Sequence, residues 1–228
     1  MLSLKQALGL NSVNVVGGSV AWNPSDETNL EAWYKNQTGI TLNGSDVSAW
    51  ADSSSNSFNM VQATASKQPA YNSGNIEFTA ADTQSLQSAS DITLSGAFTI
   101  GIKFEPDVSN VAVIGSNTTT NEFFKITSTT NLRFKTDGSQ ADMTIDSGTL
   151  ITSLNLVITR NASNLITLYI GGVAQTDTET LAGTADINAI GVRATNSNPY
   201  DGTISEIQIY DTESTALTAN VNAYLAGL

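Results

Sequence analysis

Apolar and polar residues alternate along most of this chain with a period of two. Between Phe98 and Phe104 every second residue is a large apolar one, and the residues between them are Thr, Gly and Lys. This alternation is typical of a β-strand with one face in the core and the other towards solvent. Similar patterns predict strands over residues 30–34, 47–50, 76–79, 98–104, 111–115, 123–126, 132–135, 143–145, 154–159, 165–170, 189–193 and 203–210.

Turn-forming pairs separate these segments, among them Asp137-Gly138, Gly171-Gly172 and Asp201-Gly202. Many short strands at near-regular spacing, with no helical pattern between them, indicate an antiparallel sandwich or barrel. The sequence therefore predicts an all-β fold.

A short helix is expected at each end of the chain. Ser3 and Gln6 fit a capping box for a helix over 2–10, which Gly9 would end. So short a helix is marginal alone and must pack on its own domain or on a neighbouring subunit. Residues 11–26 have the composition of a polar linker, so we divide the chain into an arm and linker over 1–28 and a β-domain over 29–228.

The second helix is expected after residue 214. Leu217, Val221, Tyr224 and Leu225 recur at the spacing of one helix face, and Thr215 could cap it.

Composition excludes several kinds of chemistry. The 228 residues include no Cys and no His, which removes thiol catalysis, zinc–thiolate sites and the Ser-His-Asp triad. The formal net charge of −12 argues against binding to nucleic acid or to an anionic membrane, because both need a basic face. With no signal peptide and no apolar run of spanning length, we expect the chain to stay in the cytoplasm until it is assembled into something larger.

Three stretches, at 30–60, 67–88 and 201–228, carry a family resemblance. They contain a Val-x-x-Trp-x-Asp strand, a Gln-Pro followed by an apolar-x-Phe, and a closing Gly-x-Ile-x-Glu-Ile-x-Ile-Tyr-Asp strand. Together they resemble the concanavalin A-like lectin/glucanase domain in its laminin-G-like form. The resemblance implies an antiparallel jelly-roll β-sandwich with short N-terminal and C-terminal helices. This fold hosts lectins, glycosidases, adhesive modules and virion proteins, so it does not fix an activity.

The closing strand argues against catalysis. The related glucanases carry alternating carboxylates on one strand, whereas here Glu206, Gln208 and Tyr210 share the face and only one is acidic. Glycoside hydrolysis needs two carboxylates flanking the bond. We therefore expect no catalytic residues and no enzyme.

Four aspartates fall in expected loops, at Asp46, Asp52, Asp82 and Asp201. Such residues usually hydrogen-bond to their own backbone in turns. Ca²⁺ binding is the alternative, because some laminin-G-like modules bind it in rim loops, although the EF-hand spacing does not occur here. The prediction is no metal site and no cofactor, with Ca²⁺ left open.

Aromatic residues are candidates for stacking on sugar rings. Trp33 and Trp50 lie in patterned strands and are expected in the core, which leaves Trp22, Tyr71 and Tyr200. Tyr200 follows the loop 196–199, beside Asn198 and Asp201. These three residues are the predicted ligand-binding site.

The leading hypothesis is a non-enzymatic phage virion structural protein that decorates the capsid. It would dock on the major capsid protein or other virion proteins through one sandwich face and an apolar arm, in a particle assembled in the host cytoplasm. The arm residues expected at this contact are Leu2, Leu4, Ala7, Leu8 and Leu10. The alternative is a carbohydrate-binding module of a tail or fibre adhesin, with glycans as partners.

Overall fold

The computed structural model describes residues 21–119 and 122–228. The expected helix over 2–10 and the five arm residues Leu2, Leu4, Ala7, Leu8 and Leu10 lie outside these ranges, so that prediction stays as it was. Nearly half of the described chain is β-strand, and all the strand pairs are antiparallel. The predicted all-β class is confirmed.

The strands are β1 Leu30–Tyr34, β2 Ile40–Asn43, β3 Asp46–Trp50, β4 Met60–Val61, β5 Ala70–Asn72, β6 Asn75–Phe78, β7 Leu86–Leu94, β8 Phe98–Pro106, β9 Val111–Gly115, β10 Phe123–Ile126, β11 Asn131–Thr136, β12 Ser139–Thr144, β13 Leu154–Arg160, β14 Leu165–Ile170, β15 Val173–Ala174, β16 Glu179–Thr180, β17 Ala185–Ile190 and β18 Gly202–Tyr210. Among the residues that the structure describes, one α-helix, α1, spans Thr215–Ala226, and short 3-10 turns occur at Pro24–Asp26, Ala65–Lys67 and Ala80–Asp82.

The strands form two layers. In the first, β1 and β6 pair with opposite ends of β18, and β8, β13 and β14 follow in order. In the second, the order is β4, β7, β17, β9, β10, β11 and β12. Strand β3 pairs with both β4 and β5, and β5 pairs with β6, so the hydrogen bonding continues from one layer to the other.

The main core fills the space between the layers. Phe98 of β8 stacks on Phe134 of β11 with ring centroids 5.5 Å apart, and Phe104 meets Phe124 edge-on at 6.4 Å. Each of these pairs joins one layer to the other, so the apolar face that the sequence predicts for β8 is the inner face. Trp50 is fully buried in the same core, as predicted.

A second, smaller core lies on the outer side of the first layer, beneath α1. Leu217, Val221 and Leu225 of the helix pack with Trp33 and Tyr210, which confirms the predicted helix face and the burial of Trp33. The helix cap differs from the prediction: Ser214, not Thr215, is the N-cap, and its hydroxyl accepts from the Leu217 amide at 3.1 Å. Ser214 has an extended backbone, as an N-cap needs, and Thr215 is already helical.

Strand β17 ends earlier than the sequence pattern indicates. The alternation predicts a strand over 189–193, but β17 covers Ala185–Ile190. Gly191 has a φ of +85°, a left-handed conformation that breaks the extended backbone. The chain then turns through residues 193–198 over the outer side of the second layer. Within the described ranges, no helix has the length and apolar character needed to cross a membrane.

Candidate functional site

The outer face of the second layer is defined by one row of paired residues. Directly opposed residues of an antiparallel pair project to the same side of the sheet. The next residues along β9, β10 and β11, namely Ile114, Phe124 and Phe134, belong to the main core, so the row faces outwards. The row runs Val61, Gln87, Ala189, Gly115, Phe123, Lys135 and Gln140.

The middle of this outer face carries small residues because a loop crosses it. The loop 193–198 places the Arg193 guanidinium 4.6 Å from the centre of the Phe123 ring. A Cβ on Gly115 would lie 3.3 Å from the Arg193 Cβ and 3.1 Å from the Phe123 Cβ, so a larger residue there would lift the loop. The loop also accepts a hydrogen bond from the Ala112 amide, to the Asn198 carbonyl at 2.8 Å. The crossing loop divides the outer face into two ends.

At the β4–β7 end lies a groove of about 490 Å³, which we call the amide groove. Val61 supplies an exposed apolar side chain at its edge. Its polar lining consists of Gln62, Thr64, Lys67, Thr83, Ser85, Gln87, Ser88 and Asn196. These groups come from three separate parts of the chain, and only the pairing of β7 with β4 and the crossing loop bring them together.

The amides of the groove are held in place by hydrogen bonds within the protein. Gln87 accepts from Asn117 Nδ2 at 2.8 Å, and its own Nε2 lies 3.2 Å from Ser85 Oγ and 3.4 Å from Asn196 Oδ1. Gln62 Nε2 donates to the Ser85 carbonyl at 2.9 Å. Side chains fixed in this way lose little further rotational freedom when a ligand binds, which favours affinity.

A bulge in β7 shapes the rim beside the groove. Gln87 pairs with Ala189 and Ile92 pairs with Ile187, so residues 88–91 stand opposite Asn188 alone. Asn188 joins the bulge to the loop after β9, because its Nδ2 donates to Asp91 Oδ1 and its Oδ1 accepts from the Asn117 amide, both at 2.7 Å. Bulges next to a site commonly redirect side chains in this way.

The predicted stacking role of Tyr200 is wrong. Its side chain is fully buried, meets Phe78 edge-on at 5.8 Å, and its hydroxyl donates to the Thr203 carbonyl at 3.2 Å. Burial raises the pKa of Tyr200 well above its ordinary value. A Tyr in a polar loop is hard to place from sequence, because here the loop folds back and packs the ring into the core.

The other two residues of the predicted ligand-binding site, Asn198 and Asp201, differ in their contacts. Asn198 holds the crossing loop: its Oδ1 accepts from Arg193 Nε at 2.7 Å and its Nδ2 donates to the Asn110 carbonyl at 3.1 Å. Asp201 is partly exposed, and its role in binding stays a prediction.

The expected turn role is clear for Asp52. One oxygen accepts from the Trp33 and Ser54 amides, both at 2.8 Å, and the other from Ser54 Oγ at 2.6 Å and the Phe58 amide at 3.0 Å. Among residues 21–119 and 122–228, no three His, Cys, Asp or Glu side chains are grouped closely enough to hold a metal ion.

Glu206, Gln208 and Tyr210 share one face, as predicted, and form a buried chain of hydrogen bonds under α1. Tyr210 donates to Gln208 Oε1 at 2.8 Å, and Gln208 donates to Glu206 Oε1 at 3.0 Å. Glu206 also accepts from Trp33 Nε1 and from the Asn36 amide. Burial raises the pKa of Glu206, although these donors oppose the shift. Because both carboxylate oxygens serve contacts within the protein, this residue fastens β1 and the following turn to β18.

Comparisons with known proteins bear on this geometry. The profile described as "Concanavalin A-like lectin/glucanases superfamily" matches residues 78–220, which include the bulge, the crossing loop and most of the amide groove's β7 side. No curated protein matches the chain.

Three solved structures are similar in fold. Domain 4 of AbnA, an extracellular arabinanase from Geobacillus stearothermophilus solved with arabinotriose, is 16% identical with a TM-score of 0.59, over 85% of this chain and 98% of that one. The binding domain of Paraclostridial Mosquitocidal Protein 1 is 16% identical with a TM-score of 0.58, over 90% of this chain and 53% of that one. The binding domain of botulinum neurotoxin serotype D/C is 13% identical with a TM-score of 0.55 and the same coverage. This chain thus spans about half the length of the two toxin domains, and the likeness establishes the fold.

Proposed function

Because this chain belongs to the concanavalin A-like lectin/glucanases superfamily, we propose that it is a non-catalytic module that binds carbohydrate through the amide groove. The observation that carries the proposal is the set of amides held ready in that groove: Gln62, Gln87 and Asn196. A sugar presents many hydroxyls that both donate and accept, and an amide oxygen that already accepts one hydrogen bond within the protein has a second lone pair for a sugar hydroxyl.

The composition of the groove supports this ligand class. Hydroxyl and amide groups, of which those of Thr64 and Asn196 are exposed, surround one apolar edge at Val61, which suits a molecule with polar rims and apolar ring faces. The similar arabinanase domain was solved with arabinotriose, and two of the other similar structures are toxin binding domains. These relatives make a saccharide a reasonable ligand to test first.

A glycan array that includes arabinotriose tests the proposal. The wild-type protein should bind at least one class of oligosaccharide, and Gln87→Ala should weaken that binding about tenfold, which corresponds to the loss of one or two hydrogen bonds. Asn155→Ala is the matched control, because Asn155 is a partly exposed amide of β13 in the first layer, away from the row. An array with no binding, or equal losses in the two variants, would contradict the proposal.

A virion structural role is the second candidate, with the particle as the place where the protein acts. Its support is the high proportion of uncharged polar residues and the net charge of −12, which suit a particle exterior. Deleting residues 1–14 should abolish binding to particles and leave the melting temperature unchanged. If the truncated protein still decorates particles, the arm is not the anchor. The same two features would also serve a tail or fibre adhesin, with the groove binding glycan and the arm docking on the particle.

A further inference from the structure

Positive charge is concentrated at the other end of the outer face. The chain has nine Lys and Arg residues against 21 Asp and Glu. Four of the nine lie together here: Lys125 on β10, Arg133 and Lys135 on β11, and Arg193 on the crossing loop. We call these four residues the basic end.

The strand register brings these charges close to one another. Lys125 stands directly opposite Arg133, and Lys135 stands directly opposite Phe123, on whose ring Arg193 lies. Burial lowers the pKa of the Lys125 ammonium, and the positive charges of Arg193 and Arg133 lower it further. Like charges directly opposite across a strand pair destabilise a sheet. The fold therefore places like charges next to one another, although the chain has only nine Lys and Arg residues.

One member of the basic end, Arg133, is paired with an acid. Asp142 of β12 stands opposite Arg133 and binds it through two hydrogen bonds, Nε to Oδ1 at 2.6 Å and a terminal nitrogen to Oδ2 at 3.1 Å. The Arg133 guanidinium holds the pKa of the Asp142 carboxyl below its usual range. Gln140 also donates to Asp142. Arg133 is thus partly neutralised within the protein, on the β12 side of the basic end.

We propose that the basic end binds the carboxylate of an acidic saccharide, one that contains uronic acid, whose neutral part lies towards the amide groove. The inference rests on the proposed function and names its ligand class. Four strand spacings separate Gln87 from Lys135, a span of about 19 Å, and an oligosaccharide that reaches both ends would pass over the crossing loop between them. Lys and Arg donors favour carboxylates through charge-assisted hydrogen bonds.

The net charge of the protein favours anionic ligands that carry few charges. A net charge of −12 repels a densely charged polyanion, and nucleic acid binding depends on neutralising many phosphates at once. A saccharide with a single uronic acid residue brings one charge and keeps the hydroxyls of its neutral rings. This combination matches a small basic cluster at one end and a mostly uncharged polar groove, with Lys67 as its one cation, at the other end.

The test compares aldotetraouronic acid, a tetrasaccharide with one glucuronic acid residue, with its methyl ester, the same sugar without the charge, by calorimetric titration. The acid should bind about tenfold more tightly than the ester at low salt, and the difference should shrink as salt is added. Lys125→Gln should weaken binding of the acid about fivefold and leave the ester unaffected. Lys35→Gln, which removes a cation lying over Trp33 on the other layer, is the matched control and should change neither.

A stability readout separates this role from a structural one. Because Lys125→Gln relieves repulsion with Arg133, its melting temperature should equal or exceed that of the wild type while acid binding falls. Equal binding of acid and ester, equal effects of Lys125→Gln and Lys35→Gln, or tighter binding of a single-stranded oligonucleotide than of the uronate would overturn the inference.

The two proposals fail in different ways. If the ester binds and Gln87→Ala weakens that binding while the acid gains nothing, the basic end is not a carboxylate site and the proposed function stands. If neither sugar binds and the glycan array is empty, both proposals are wrong.

Discussion

The docking of α1 depends on the absence of a side chain at Gly101, and this dependence can be measured. Gly101 lies in β8 on the face that α1 covers. A Cβ there would lie 2.4 Å from Val221 Cγ1 and 3.4 Å from Leu225 Cδ1. The first distance is far inside van der Waals contact, so Gly101→Ala must displace the helix or the Val221 side chain.

The expected cost follows from two opposing effects. Overpacking a core costs about 1–3 kcal/mol, while replacing Gly by Ala in a strand returns up to about 1 kcal/mol by restricting the unfolded chain. Gly101→Ala should therefore lower the free energy of unfolding by about 1–2 kcal/mol. Val221→Ala alone should cost about 1.6 kcal/mol for two buried methyl groups, plus a cavity contribution.

The double variant decides whether this contact is the cause. Removing the Val221 methyl groups leaves room for the new methyl at residue 101, so Gly101→Ala/Val221→Ala should be at least as stable as Val221→Ala alone. Urea unfolding followed by circular dichroism gives all three values. If the losses of the two single variants simply add, the close approach of Gly101 to Val221 does not govern the position of the helix.

Three further predictions concern stability. Arg160 is buried, and it donates to the carbonyls of Gly96 at 2.7 Å, Gly183 at 2.7 Å and Leu94 at 3.1 Å. Arg160→Lys should therefore lower the free energy of unfolding, measured in urea, by about 3 kcal/mol, because a lysine cannot make all of these hydrogen bonds. A loss near zero would contradict this. Ser214→Ala should cost about 1 kcal/mol in the same assay and Ser214→Asp much less, because Asp can also cap the helix. Burial raises the pKa of Tyr34, Tyr200 and Tyr210 above the ordinary value of 10.0. The free energy of unfolding should therefore keep its full value below pH 10 and fall as the pH rises beyond it, because the unfolded chain releases these protons first. Tyrosinate absorbance from these residues should then appear together with loss of the β-sheet signal, and its appearance in the folded protein would contradict the burial of Tyr34, Tyr200 and Tyr210.

The sequence predicted the parts of the fold that depend on local pattern. Strands β9, β10 and β14 begin and end where the alternation does, because their inner faces are continuous apolar surfaces. Strand β7 was missed, although it is nine residues long, because its bulge at 88–91 replaces alternation with a run of small polar residues. The bulge that shapes the site is thus the feature that concealed the strand.

The candidate site could not be read from the sequence for a related reason. Gln62, Gln87 and Asn196 have no characteristic spacing and meet only through strand pairing and the crossing loop. The basic end is equally non-local, because Arg193 is 68 positions from Lys125 (193 minus 125) in the chain. Tyr200 showed the opposite error: a local signal for an exposed loop was overridden by packing against Phe78.

The most direct test of the account is to find which side of the sandwich a saccharide contacts. Amide chemical-shift mapping, with the oligosaccharide that binds most tightly in the glycan array, should place the largest changes at Gln87, Asn117 and Asn196 and around the crossing loop. Changes confined to α1 and the first layer would contradict the account, because they would leave the outer face of the second layer without a ligand.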